Sequence, residues 1–116
     1  MTRPVQEDVH FRVLRILEQR PEISQRELAE EVGIALGKVN YVLSALTGKG
    51  LVKMRNFRNS DNKLRYAYIL TPAGLSAKLE LTSGFLRRKV AEYEALKAEI
   101  ESLQAETEWG TDMDAR

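Results

Sequence analysis

Ser24-Gln25-Arg26-Glu27-Leu28-Ala29-Glu30-Glu31-Val32-Gly33-Ile34-Ala35-Leu36-Gly37-Lys38-Val39-Asn40-Tyr41-Val42-Leu43-Ser44-Ala45-Leu46 is the stretch that decides the fold. Ser24 stands three residues before Glu27, the spacing of a capping box, in which the serine oxygen accepts a backbone amide of the first helical turn. Leu28, Ala29 and Val32 then make one apolar stripe. Gly33 ends the helix because it takes positive φ without a Cβ clash. A second stripe follows at once, Val39, Val42, Leu43 and Leu46, and closes near Gly48. Ala29 is small where two helices cross closely, Gly33 turns the chain, Ile34 plugs the corner, and Val39 and Val42 anchor the second helix. These steric requirements together predict a helix-turn-helix.

Upstream, Val9, Val13, Leu14, Ile16 and Leu17 recur at helical spacing until Pro21, which predicts a helix from about Gln6 to Gln19. Downstream the period changes. Leu51 to Phe57 and Leu64 to Leu70 are rich in aromatic and β-branched residues, and Arg58-Asn59-Ser60-Asp61-Asn62-Lys63 between them is turn-forming, which predicts a β-hairpin. Thr71-Pro72 opens another helix, threonine as N-cap and proline at the first helical position. Helical composition continues to about Glu108, with Gly84 as a weak point. The expected fold is mainly α with a small β-hairpin: a winged helix-turn-helix domain over residues 6–71, a long C-terminal dimerisation helix over 72–108, and a polar tail over 109–116.

Composition narrows the function classes. The 116 residues contain no cysteine and one histidine, His10. Disulfides, thiolate metal sites and a thiol nucleophile are therefore excluded, and the sequence shows neither a phosphate loop nor a metal-ligand cluster. No enzyme, metal or cofactor is expected. No apolar run approaches the ~20 residues that span a bilayer, and the first residues lack a signal-peptide stretch, so no membrane association and a cytoplasmic location are expected. The net charge of +1 is unevenly spread. Residues 1–37 carry five basic and seven acidic side chains, and residues 71–116 six and nine. Residues 38–70 carry seven basic side chains against Asp61 alone. A basic middle third between acidic flanks is the footprint of a localised anion-binding surface.

Candidate contacts follow from which residues the core does not use. With Val39, Val42, Leu43 and Leu46 inward, Leu36, Gly37, Lys38, Asn40, Tyr41 and Ser44 face outward. Gly37 permits close backbone approach, Asn40 can pair bidentately with an adenine edge, and Lys38 can donate to guanine or phosphate. Tyr41 can pack on sugar or donate to phosphate, or else contact the wing. In the hairpin Arg55, Arg58, Lys63 and Arg65 cannot all point the same way. Arg58 and Lys63, nearest the tip, are favoured for DNA over the two strand positions. Arg87-Arg88-Lys89 reads as a solvated helix face, His10 as a packing or surface residue, and Trp109 as a terminal packing anchor.

In the last helix Tyr93, Leu96, Ile100 and Leu103 step by 3, 4 and 3, the spacing of a coiled-coil seam. Phe85, Leu86 and Val90 extend the stripe towards the winged domain. A second copy is the simplest partner for it.

The segments Ser24-Gln25-Arg26-Glu27-Leu28-Ala29, Lys38-Val39-Asn40-Tyr41 and Leu46-Thr47-Gly48-Lys49-Gly50-Leu51-Val52, with the wing ending Leu70-Thr71-Pro72-Ala73-Gly74, resemble the multiple-antibiotic-resistance regulator (MarR) family. Arg55-Asn56-Phe57-Arg58-Asn59-Ser60 and Leu96-Lys97-Ala98-Glu99-Ile100 are similar to its small subgroup of exopolysaccharide-associated transcriptional regulators. The resemblance covers residues 8 to 105. It implies a dimeric, cytoplasmic repressor or activator bound to a double-stranded operator, with an inverted-repeat site expected. Family members add an N-terminal helix that helps build the dimer and often a ligand pocket; little sequence precedes Val9 here, and a small-molecule effector is not expected. The wing also departs from the family, with Asp61 followed by Lys63 in place of arginine. Ala35 stands where the family commonly has a serine or threonine cap, a loss of about 1 kcal/mol. The alternative function is a winged helix that contacts another protein and no DNA.

Overall fold

The computed structural model describes the backbone of residues 3–58 and 60–114 and the side chains of 5–58 and 60–108. Its order is α1 (Arg3–Gln19), α2 (Gln25–Val32), α3 (Leu36–Gly48), β1 (Val52–Arg58), β2 (Leu64–Leu70) and α4 (Pro72–Asp114). Asn59, in the wing loop, and the Trp109 side chain lie outside the described residues. The first compact unit ends at Ser83 and the second begins at Gly84.

The helix ends follow their caps. The Glu27 amide donates to Ser24 Oγ at 3.1 Å, and that hydroxyl donates to Glu27 Oε1 at 3.0 Å. Gly33 sits at φ 80° and donates its amide to Ala29. Ala35 caps α3 with no side-chain hydrogen bond, as the sequence implies. α1 begins three residues before the expected Gln6, because Pro4 is tolerated in a first turn where its missing N–H has no partner to lose. α4 runs to Asp114, six residues past the expected Glu108. The polar tail is thus helical through that residue: polarity does not stop a helix, and one terminal glycine, Gly110, costs only about 1 kcal/mol. Gly84 does not interrupt α4 either.

In the first unit α1, α2 and α3 enclose one core. Val13, Leu14, Leu17, Leu28, Val39, Val42 and Leu46 are buried at its centre, with Val52 of the wing. Ala29 is buried at the α2–α3 crossing and Ile34 packs at the corner, as the turn requires. Ala77 and Leu81 of α4 cover another side of this core, and Lys78 pairs with Glu18. The first turns of α4 therefore belong to this unit, which extends beyond the expected boundary at residue 71.

The strands pair antiparallel, Val52 opposite Leu70 and Arg58 opposite Leu64. The Tyr68 amide donates to the Pro21 carbonyl at 3.0 Å, tying the outer strand to the α1–α2 connection. Thr71 makes the exit rigid: its amide donates to Leu51 O and its hydroxyl to Gly50 O, while the Gly74 amide donates to Thr71 Oγ1. Gly74 is buried there, and a Cβ on it would lie 2.0 Å from the Leu51 carbonyl oxygen. Only glycine fits. No helix of the described residues is long and apolar enough to cross a membrane.

Candidate nucleic-acid interface

α3 divides as its periodicity demands. Val39, Val42, Leu43 and Leu46 are buried, while Leu36, Gly37, Asn40, Tyr41 and Ser44 are exposed and Lys38 is half-buried. Tyr41 is 67% exposed, so the alternative of a buried contact with the wing is set aside. The Lys38 ammonium lies 5.2 Å from the centre of the Tyr41 ring. That contact draws the lysine along the helix flank and leaves Gly37, Asn40 and Ser44 with short or polar groups at the surface. Leu36 and Tyr41 are the two large side chains on this face.

Register settles how the wing distributes its charge. Residues directly opposite across an antiparallel pair share a face, and a shift of one would exchange the faces. Lys53, Arg55 and Phe57 stand opposite Ile69, Ala67 and Arg65. Lys53, Arg55 and Arg65 therefore form one exposed basic face. Arg58 belongs to the other face with Met54, Tyr66 and Leu64, and its Nη1 donates to the Asn62 carbonyl at 3.2 Å. Asn62 is in the left-handed region at φ 62°, which asparagine tolerates. Arg58 and Lys63 are nearest the tip, as read from the sequence, yet Arg58 also holds the turn closed. Tyr68 packs against the core and accepts from Gln25 Nε2 at 3.1 Å, whereas Tyr66 on the same face is exposed.

Two lysines are not singled out by the sequence argument. Lys53 joins the basic wing face only once the register is known; its period-two spacing from Arg55 is the signal that carries it. Lys49 follows α3 and shares a cleft with Lys38 and His10. His10 is half-buried. Burial, then the nearby Lys49 and Lys38 charges, hold its pKa below the usual imidazole value, with Glu7 opposing. No group of three or more potential metal ligands exists among the described residues.

In the second unit Leu86, Val90, Tyr93, Leu96, Ile100 and Leu103 are all exposed large apolar residues. Phe85 is half-buried, with the Lys89 ammonium 5.4 Å from its ring centre. Tyr93, Leu96 and Ile100 line one shallow groove with Lys97, Glu101 and Gln104. Soluble proteins rarely leave such a continuous apolar stripe without a partner.

Residues 6–53 match the model of a family described as winged helix-turn-helix DNA-binding. Among solved structures the PcaV transcriptional regulator from Streptomyces coelicolor, in complex with its natural ligand, is similar. It shares 25% identity over 91% of this chain and 75% of its own, with a TM-score of 0.59. A MarR family protein from Mycobacterium tuberculosis in complex with salicylic acid shares 21% identity, covering 82% of this chain and 75% of that one, with a TM-score of 0.57. The YusO protein from Bacillus subtilis shares 22% over 93% and 74%, with a TM-score of 0.53. No curated protein matches the chain significantly. The fold is a winged helix-turn-helix, and its structural neighbours include MarR family regulators.

Proposed function

We propose that this chain is a sequence-specific double-stranded DNA-binding transcriptional regulator acting as a homodimer. The observation that carries the reading is the outward face of α3, with Gly37, Asn40, Tyr41 and Ser44 exposed beside a wing that presents Lys53, Arg55 and Arg65 together. A helix of this kind enters the major groove while the wing holds backbone or a minor groove. In this assignment Asn40 reads base edges, Lys38 reaches phosphate from the flank of α3, Gly37 and Ser44 allow close approach, and Tyr41 packs against sugar and phosphate. Lys53, Arg55 and Arg65 contribute charge to phosphate from one wing face and Lys63 from the tip, while Arg58 holds the turn. The apolar stripe from Phe85 to Leu103 pairs two copies. Two-fold symmetry of the dimer calls for an inverted-repeat operator.

The finer assignment, to the exopolysaccharide-associated subgroup, is supported by Arg55-Asn56-Phe57-Arg58-Asn59-Ser60 and by Leu96-Lys97-Ala98-Glu99-Ile100. Selection from a pool of random duplexes by the purified protein tests the function. Enrichment of an inverted repeat whose half-sites lie ~34 Å apart is the expected result. A pool that stays random through successive rounds favours the rival reading, a winged helix that binds protein.

A further inference from the structure

α1 and α3 leave a cleft of about 220 Å³ between them. Val9 and Val42 line it beside His10, Tyr41, Lys38 and Lys49. At 100° per residue Lys38 and Ala45 of α3 and Lys49, which caps it in helical conformation, fall on one flank within about 40° of one another, and Tyr41 lies between that flank and the outward face. Lys38 and Lys49 are eleven residues apart, so they stand ~16 Å apart along the helix axis. His10 approaches from the opposite wall, close enough to both for each ammonium to influence its titration. The cleft is thus a cationic strip along one shoulder of the face α3 presents.

We propose that this cleft seats the sugar-phosphate strand bordering the groove that α3 enters, with Lys38 and Lys49 at its ends and His10 between them. The proposal rests on the DNA-binding reading and extends the interface to α1, an element to which that reading gives no role. The geometry suits it. A helix lying in a groove about 12 Å wide has a phosphate strand on each flank, and a strip ~16 Å long spans more than one phosphate. Val9 and Val42 give the cleft an apolar floor, while Lys49 is exposed, so its contact with phosphate weakens as salt rises.

Seating a phosphate there changes the protonation of His10. In the free protein burial and two lysines favour the neutral ring, and Glu7 opposes them only in part. A phosphate anion drawn between the lysines offsets their charge and stabilises imidazolium. Binding therefore takes up a proton, and affinity rises as pH falls through the histidine range, by at most tenfold per pH unit for each protomer.

The test measures the affinity of full-length protein for a short duplex by fluorescence anisotropy, across salt and across pH. Lys49→Gln is expected to reduce the slope of log affinity against log salt by about 0.9 for each protomer. His10→Gln is expected to flatten the pH dependence while leaving most of the salt slope. Lys49→Arg is expected to restore the slope, which separates lost charge from damaged folding. Wild-type binding with a steep salt slope that neither variant alters overturns the seat but not the DNA-binding reading. No wild-type binding at all overturns both. A parallel titration with inorganic phosphate follows the His10 ring by NMR. Saturation only at millimolar phosphate is expected; micromolar binding, with DNA affinity unchanged in Lys49→Gln, assigns the cleft to a free anion and overturns the proposal.

Discussion

Replacing Leu96 and Ile100 by alanine should convert the protein from dimer to monomer at micromolar concentration. The magnitude follows from exposure. Leu96 is 56% and Ile100 46% exposed in the single chain, and complete burial of such a side chain is worth roughly 1.5–3 kcal/mol. Covering the exposed half therefore contributes about 1 kcal/mol per residue per protomer. Two-fold symmetry counts each residue twice, so one substitution removes ~2 kcal/mol, and the cavity it leaves adds to the loss. At 1.4 kcal/mol per factor of ten, each change weakens association about thirtyfold or more. The whole stripe of Leu86, Val90, Tyr93, Leu96, Ile100 and Leu103 supplies on the order of 12 kcal/mol on this scale. That is set against an association cost of roughly 4–15 kcal/mol. The margin is small, so two substitutions suffice. Sedimentation velocity across a concentration series reads the equilibrium directly. A wild-type chain that is monomeric throughout, or a double variant that dimerises as tightly as wild type, refutes the reasoning.

Three further outcomes follow from the same structure. Asn40→Ala should cost about 1–3 kcal/mol on the selected operator and far less on unrelated duplex; an equal loss on both reduces Asn40 to a backbone contact. Arg55→Ala and Arg65→Ala share one wing face, so each should lower the salt slope by about 0.9 for each protomer, and a slope changed by only one of them contradicts a common phosphate-facing surface. Gly74→Ala places a methyl against the Leu51 carbonyl and should lower stability by about 1–3 kcal/mol in urea unfolding; unchanged stability would mean that the wing exit yields more easily than its three hydrogen bonds suggest.

The helix-turn-helix was legible because each of its positions is overdetermined. Ser24 with Glu27, the glycine at 33 and the small Ala29 each answer a steric or hydrogen-bonding demand that few other residues satisfy. The inward face of α3 was equally plain, since four apolar residues at helical spacing leave no second solution. The wing was different. Its strands were visible in composition, but β1 begins and ends one residue later than expected. Which arginines share a face depends on pairing register, and a polar loop longer than a two-residue turn does not fix register from sequence. The α4 end failed for another reason, since a polar, glycine-containing segment is compatible with helix as well as with tail. Lys49 and His10 lie far apart in sequence and meet only through the packing of α1 on α3.

Hydroxyl-radical footprinting of the dimer on its selected duplex tests the central claim most directly, because it shows where on the helix α3 and the wing lie. Two protected tracts are expected, related by two-fold symmetry, with centres about one helical turn apart, and protection of the flanking strand should be lost in Lys49→Gln. Uniform cleavage, or one unsymmetrical tract at saturating protein, contradicts a two-fold regulator that reads the major groove through α3.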